Sequence, residues 1–514
     1  MTTIIAAERD QRAGRREWIG LAVLALPTLL LSLDMSVLYL ALPHLTADLA
    51  PSSTQLLWIT DIYGFMVAGF LITMGTLGDR IGRRKLLMIG AAAFGVASVV
   101  AAYSSSAEML IATRMLLGIA GATLMPSTLG LISNMFLDAK QRSVAISVWI
   151  SCFMGGTAIG PVVGGVLLQW FWWGSAFLLG VPVMVILLVA APILLPEHRD
   201  ASAGRIDLAS VALSLGTILP VIYGLKDLAK DGMQTTPVVS IAAGLVIGLA
   251  FVRRQLRLAS PLLDLRLFAN RTFTTAIGVM MVGAVVMGGM FLFISMYLQL
   301  VEGLTPLAAG SWLVPPAAGM IVGSMLAPAL AQRVGRAQVI GGGMIFTAIG
   351  FVVLTQASSS GGLGVVVTGL AIATLGLGPG AALVTDIVVG SVPPSRAGSA
   401  ASMSETSGEF GIAIGIAMLG SLGTMIYRDS VTVPAGLPSE LAAASRDTLA
   451  GAVAAAEHLP ADVAVPLLGS ARAAFTEGLT TVATFGTVVL AVFGLAALIV
   501  LRRSIDSDDS SIET

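Results

Sequence analysis

Charge is scarce in this chain. Asp, Glu, Lys and Arg make up 11% of its 514 residues, where a soluble globular chain carries roughly 25%. So few charges cannot cover a water-facing surface of this size, and they need not if most of that surface faces lipid. Cysteine occurs once, at Cys152, which excludes an intrachain disulfide and a thiolate metal cluster. The three histidines, His44, His198 and His458, are far apart in the sequence, so no metal site is expected. No phosphate-binding Gly/Lys loop occurs between apolar segments, which argues against an ATP-driven machine. No His/Cys/Asp cluster or nucleophile–base set suggests an enzyme, and no cofactor is expected. The 28 basic residues oppose 29 acidic ones and fall in short clusters rather than a stripe, which gives no case for a nucleic-acid partner.

What the chain has in excess is apolar length. It is 56% hydrophobic, with 58 glycines and 23 methionines and a mean hydropathy of +0.92. A membrane-spanning helix needs about 20 apolar residues. Fourteen segments meet this requirement: 18–40, 56–77, 86–104, 108–130, 143–168, 174–195, 208–226, 237–252, 272–297, 307–330, 338–356, 361–389, 402–424 and 479–501. The first run is too long for a signal-peptide core and reads as a span. With both termini cytoplasmic, 22 of the 28 Lys and Arg residues fall on the inner side, five fall outside, and Arg114 lies within a span. That asymmetry is what the positive-inside rule expects.

The predicted organisation is all-α and polytopic. It comprises a cytoplasmic segment 1–17, a six-helix bundle 18–195, a linker region 196–271 with two additional spans, a second six-helix bundle 272–501, and an acidic cytoplasmic tail 502–514 expected to be disordered. The second bundle carries an outer segment, 425–478, that could hold a short amphipathic helix or hairpin.

A charge at membrane depth costs roughly 2.5–3.5 kcal/mol on insertion scales, so it usually faces a cavity and has a task. Five carboxylates fall within the spans, clear of their terminal residues: Asp34, Asp61, Asp386, Glu405 and Glu409. Asp34 and Asp61 could serve transport or sit near the outer interface within reach of water. Asp386 could meet substrate or cap a helix end. Glu405 could solvate the start of span thirteen. Glu409, four residues on, shares a helix face with it. Like charges close together in low dielectric favour a shared or exchangeable proton. Such acids suit proton-for-cation exchange, whereas an anion pocket would expose buried Lys or Arg. Arg114 either switches with a carboxylate, Asp34 foremost, or clamps the first bundle. Gly156, Gly160 and Gly164 form a flat face at every fourth residue, and Pro161 bends that helix. Cys152 on the same span reads as a small packing residue. Trp149, Phe153 and Trp312 either anchor at interfaces or line a pocket where a flat cation could stack.

The segment Gly75, Gly78, Asp79, Arg80, Gly82, Arg83, Arg84 and Lys85 resembles the hallmark loop of the major facilitator superfamily. Arg114 with Gly118 is similar to its fourth-helix motif. Gly156, Gly160, Pro161, Gly164 and Gly165 resemble the fifth-helix motif associated with its antiporters. Leu33 to Pro43, Trp58 to Tyr63 and Ser402 to Gly411 are similar to the fourteen-helix drug:proton antiporter branch, which contains bacterial multidrug and quaternary-ammonium pumps. The second-half counterpart of the hallmark loop is reduced to Gln332, Arg333, Gly335 and Arg336, which loosens any expectation of symmetric gating contacts.

The resemblance implies a secondary transporter in the bacterial cytoplasmic membrane, working as a monomer and driven by the proton gradient. It would export hydrophobic, mainly cationic drugs, dyes and biocides. The alternative is a dedicated exporter of one endogenous metabolite or self-made antibiotic. Proton coupling is expected of Asp34, Arg114 and Glu409, and substrate contact of Asp61, Glu405, Glu409, Trp149, Phe153, Trp312 and Asp386.

Overall fold

The computed structural model describes residues 13–49, 51, 53–197, 199, 207–231, 234–258, 261–263, 265–392, 397–434 and 437–510. Among these, thirteen helices are long and apolar enough to cross a membrane, and a bent helix, counted as one span, makes fourteen. Helices are what lipid dictates, because every backbone N–H and C=O must then be satisfied within its own segment.

The first bundle consists of α1 (Arg15–Leu49), α2 (Ser53–Ile81), α3 (Arg83–Ala102), α4 (Ala107–Met135), α5 (Ala139–Trp170) and α6 (Ser175–Leu194). Then come α7 (Leu208–Asp231) and α8 (Thr235–Arg257). The second bundle is α9 (Arg271–Val301), α10 (Leu307–Val334), α11 (Arg336–Leu354), α12 (Leu363–Gly390), α13 (Ala397–Ser430) and, after two short helices α14 (Ser439–Asp447) and α15 (Leu449–Ala456), α16 (Ala461–Ser510). Local signals set the starts. Ser106 accepts from the Met109 amide to cap α4, Asp138 accepts from Gln141 to cap α5, and Asn270 accepts from Thr272 and Phe273 to cap α9.

The two bundles repeat one packing plan. In the first, α1 lies along α5 and α6, α2 along α4, and α3 along α4 and α6. In the second, α9 lies along α13 and α16, α10 along α12, and α11 along α12 and α16. The bundles meet in two matching seams, α5 against α10 and α13 against α2. The extra pair packs on itself, and α7 touches α2 and α13 beside the second seam. There, Phe65, Ala68 and Ile72 of α2 bury against Ile218, Ile222 and Phe251, with Phe410 of α13 alongside. The pair therefore sits beside a seam of the repeat.

Four boundaries differ from the sequence reading. Helix α1 runs on to Leu49, and α13 continues to Ser430. Helix α16 begins at Ala461, about five turns before the apolar run that marked span fourteen. Its early residues Leu467, Ala471, Ala474 and Phe475 are buried, and the Phe475 ring packs 5.4 Å from Phe293. An Ala-rich stretch with an apolar stripe is helical wherever it has a partner, so the connection between α13 and α16 shrinks to a hairpin of α14 and α15. The Tyr427 hydroxyl ties that hairpin down by donating to the Ser445 carbonyl at 2.8 Å. At the other end the helix continues to Ser510, where a disordered tail was expected.

Candidate functional site

Arg114 is eight residues into α4 and 1% exposed. Its Nη1 donates to Asp34 Oδ2 on α1 at 3.1 Å, and its Nε donates to the Ile59 carbonyl of α2 at 3.1 Å. The guanidinium carbon lies 4.8 Å from the centre of the Tyr63 ring and 6.0 Å from that of Phe177 on α6. One cation thus gathers four helices. The approach of α2 to α4 that permits this rests on Gly118, where a Cβ would lie 2.5 Å from the Tyr63 carbonyl oxygen. Aromatic faces and a carboxylate replace the water that the charges have lost, and either partner alone would be strongly unfavourable here.

Glu405 and Glu409 are half-buried on α13 and interact electrostatically. Helix α13 packs on both α2 and α4, the helices that carry Tyr63 and Arg114. The fold therefore sets the helix of the acidic pair against these two first-bundle helices.

The turn between α2 and α3 is built around Gly82, whose φ of +109° favours glycine. Asp79, at the end of α2, takes Arg83 Nε at 2.8 Å, and Arg83 Nη1 donates to the Gly130 carbonyl of α4 at 2.6 Å. Glu197, just past α6, accepts from the amides of Arg84 and Lys85 and so caps α3. In the second half Gly335 has φ +92°, and Arg336 starts α11 as Arg83 starts α3. The backbone plan is repeated, but the acid has moved. Asp386 of α12, fully buried, accepts from Arg142 Nε of α5 at 2.8 Å. Arg336 Nη2 lies 3.2 Å from its other oxygen, close enough for an ion pair without a hydrogen-bond alignment. The reduced second-half loop therefore joins a contact between the bundles.

Residues 24–416 match the Major Facilitator Superfamily. The chain belongs to that superfamily. It is 42% identical over 502 residues to the multidrug efflux pump LfrA of Mycolicibacterium smegmatis, covering 98% of this chain and 100% of that one. It is 34% identical over 471 residues to the methyl viologen resistance protein SmvA of Salmonella typhimurium strain LT2, covering 90% and 93%. Among solved structures, the human organic anion transporter MFSD10 matches with a TM-score of 0.59 at 15% identity, covering 92% of this chain and 99% of that one, which shows the shared fold.

Within this superfamily fold the remaining sequence-derived residues are dispersed. Gly156 is where α5 meets α1: a Cβ there would lie 2.1 Å from Ser32 Oγ and 2.3 Å from the Leu29 carbonyl oxygen. Gly160 and Gly164 are buried on the same helix, and Gly165 faces Leu307 of α10 across a seam. Helix α5 bends by 44° between Ala139–Thr157 and Val162–Trp170, a break that contains Pro161, whose side chain lies outside the described residues. Gly75 is buried and Arg80 half-buried near the α2–α3 turn. Trp149 packs inside the first bundle, 3% exposed, with its indole N–H on Thr128 Oγ1 at 3.1 Å. Phe153 is half-buried one turn on, and Trp312 is 43% exposed at the start of α10. Asp61 lies on α2, with its side chain outside the described residues. Among the described residues no group of three or more His, Cys, Asp and Glu is placed to hold a metal.

Sequence reasoning undervalued three residues. Tyr63 enters the sequence reading only as the end of the Trp58–Tyr63 motif but stacks on the buried arginine. Arg142 and Arg336 read as inner-loop charges, yet both meet Asp386. The glycine–arginine step repeated at 82–83 and 335–336 is a signal that could have found Arg336. Nothing local points to Arg142, which is 244 residues from its partner.

Proposed function

We propose that this chain exports hydrophobic, mainly cationic drugs, dyes and biocides across the bacterial cytoplasmic membrane in exchange for protons, as a monomer with both termini in the cytoplasm. The carrying observation is the buried Arg114–Asp34 pair, with the helix of Glu405 and Glu409 packed from the opposite bundle on the helices of Arg114 and Tyr63. Likeness to LfrA over its full length supports the same reading. Likeness to SmvA, named for resistance to a dication, suits a site with two neighbouring acids.

Ionised Asp34 holds Arg114 and with it the junction of α1, α2, α4 and α6. A proton on Asp34 cancels that attraction and leaves the guanidinium with the Ile59 carbonyl and the aromatic faces. The junction then has two arrangements that differ by one proton, which is what coupling requires. Glu405 and Glu409 would receive a cation that has shed its water, while apolar wall residues hold its body. Two bundles of matching plan, joined by two seams, suit rocking around a central site.

Ethidium efflux in everted vesicles tests the whole reading. Wild type is expected to build a gradient only while the proton gradient stands, and Asp34→Asn to lose uphill transport at normal abundance. Uphill efflux after collapse of the proton gradient would refute proton coupling. Full activity of D34N would remove Asp34 from the pathway. A panel of unrelated cations separates broad export from export of a single product.

A further inference from the structure

Helix α8 is the barest span among the described residues: only 17% of its most apolar stretch is buried. Along one side it carries Val246, Leu249, Ala250, Arg253, Arg254 and Arg257, a spacing of three and four that keeps all six on one stripe. These residues and Leu258 line a groove of ≈ 570 Å³. The stripe changes character along its length. Val246 and Leu249 are about two-thirds exposed, and the three arginines follow over the last turns. Apolar surface at membrane depth leading into clustered cations at the helix end is the complement of an acyl chain ending in a phosphate.

The opposite side of α8 explains why the stripe faces out. Gln255, buried, donates to Ser210 Oγ of α7 at 2.7 Å and accepts from the Leu262 amide at 2.7 Å. The Leu262 carbonyl in turn accepts from Thr76 Oγ1 of α2 at 2.8 Å. This anchor fixes the rotation of the helix end. Arg254 is committed to Asp207 at the start of α7, at 2.7 Å. Arg253 and Arg257 are exposed and have no ion pair or side-chain hydrogen bond with another described residue. The groove therefore offers two free guanidinium groups, each able to take a phosphate oxygen pair.

We propose that this groove on the inserted helix pair binds an anionic phospholipid, its phosphate on Arg253 and Arg257 and one acyl chain along Val246, Leu249 and Ala250. The site is independent of the transport reading, because it uses none of the carboxylates between the bundles. Lipid held there would brace α8 against α7, and through Gln255, Leu262 and Thr76 would brace the end of α2 that leads into the Gly82 turn.

Native mass spectrometry of the purified, delipidated full chain titrated with dioleoyl phosphatidylglycerol or dioleoyl phosphatidylcholine tests this. Wild type is expected to retain one phosphatidylglycerol in preference to phosphatidylcholine. The Arg253→Gln/Arg257→Gln double variant leaves the Arg254–Asp207 pair in place. It is expected to lose roughly 25-fold in phosphatidylglycerol affinity, about five-fold for each arginine at an anionic surface. Its phosphatidylcholine binding and its ethidium efflux in mixed lipid are expected to persist, which shows that it folds. Equal affinity of wild type for the two lipids, or equal phosphatidylglycerol affinity of wild type and double variant, would overturn the site. Displacement of the bound lipid by millimolar inorganic phosphate would overturn the lipid assignment in favour of a small anion.

Discussion

Around Arg114 a carboxylate, a carbonyl and two aromatic faces share one buried cation, so removing any of them changes the load on the rest. Arg114→Ala leaves Asp34 buried without its counter-charge. The expected loss is about 3–5 kcal/mol of stability, read as a large drop in melting temperature in detergent. Arg114→Lys keeps the charge but not the fork that reaches both Asp34 and Ile59, and it should fall between. Equal stability of wild type and R114A would show that the pair does not hold the bundle. On α13, Glu409→Gln, and less strongly Glu405→Gln, should slow export of dications such as bisbiguanides more than export of monovalent ethidium, because a second desolvated charge needs a second acid. Matched efflux rates at equal protein level decide it, and equal loss of both classes would make the glutamates proton carriers or structural. Outside the membrane, hydrogen bonds from Arg254 and Ser210 hold the Asp207 carboxyl down to about 2. A depressed carboxyl contributes stability above its unfolded value near 3.9, and loses it as pH falls from there through about 2. The melting difference between wild type and Asp207→Asn should therefore be flat from neutral pH to about 5 and shrink below about 4.

Helices in this molecule approach one another where side chains are missing. Gly155 and Gly156 are neighbours on α5 with opposite situations. A Cβ at 156 would collide with α1, whereas at 155 it meets nothing within 4 Å. Gly156→Ala should therefore separate α1 from α5 and cost about 1–3 kcal/mol, with reduced abundance and melting temperature. Gly155→Ala should be neutral or slightly stabilising, since alanine is the better helix former. A harmless G156A would mean that the seam between these helices is slack. Because α1 carries Asp34, G156A should also weaken coupling by moving the acid off Arg114. The 44° bend in α5 separates this tight contact from the stretch that meets α10. One helix can thus pack closely within its own bundle and also reach the other.

At the scale of the whole molecule, the bundles are held together by seams and by one buried acid. Arg142 of the first bundle and Arg336 of the second converge on Asp386. Asp386→Asn removes the charge that both arginines share. It should raise hydrogen exchange at the start of α5 and the end of α12 without unfolding either bundle. Unchanged exchange there would mean that the ion pairs do not restrain the two halves. Topology is testable with one reporter. Ser439, exposed at the start of α14, changed to cysteine in a Cys152→Ser background, should react with an impermeant maleimide in whole cells. Reaction only after lysis would place the α14–α15 hairpin inside and reverse the proposed orientation.

The helical class, the fourteen apolar segments and the uneven spread of basic residues were all legible in the chain, because lipid leaves a long apolar segment no stable alternative to helix and each count is local. The acids and the arginine at membrane depth were legible for the same reason: a charge in an apolar run stands out whatever it touches. Tertiary structure alone decided their partners. Asp34 and Arg114 are 80 residues apart, and Arg142 and Asp386 are 244 apart. Whether two such side chains meet depends on the rotation and depth of their helices, which are set by close contacts such as Gly118 on Tyr63 and Gly156 on Leu29. A short apolar or glycine-rich pattern shows which face can pack, but not against what, so Asp386 could be read as a helix cap until the fold brought two arginines to it.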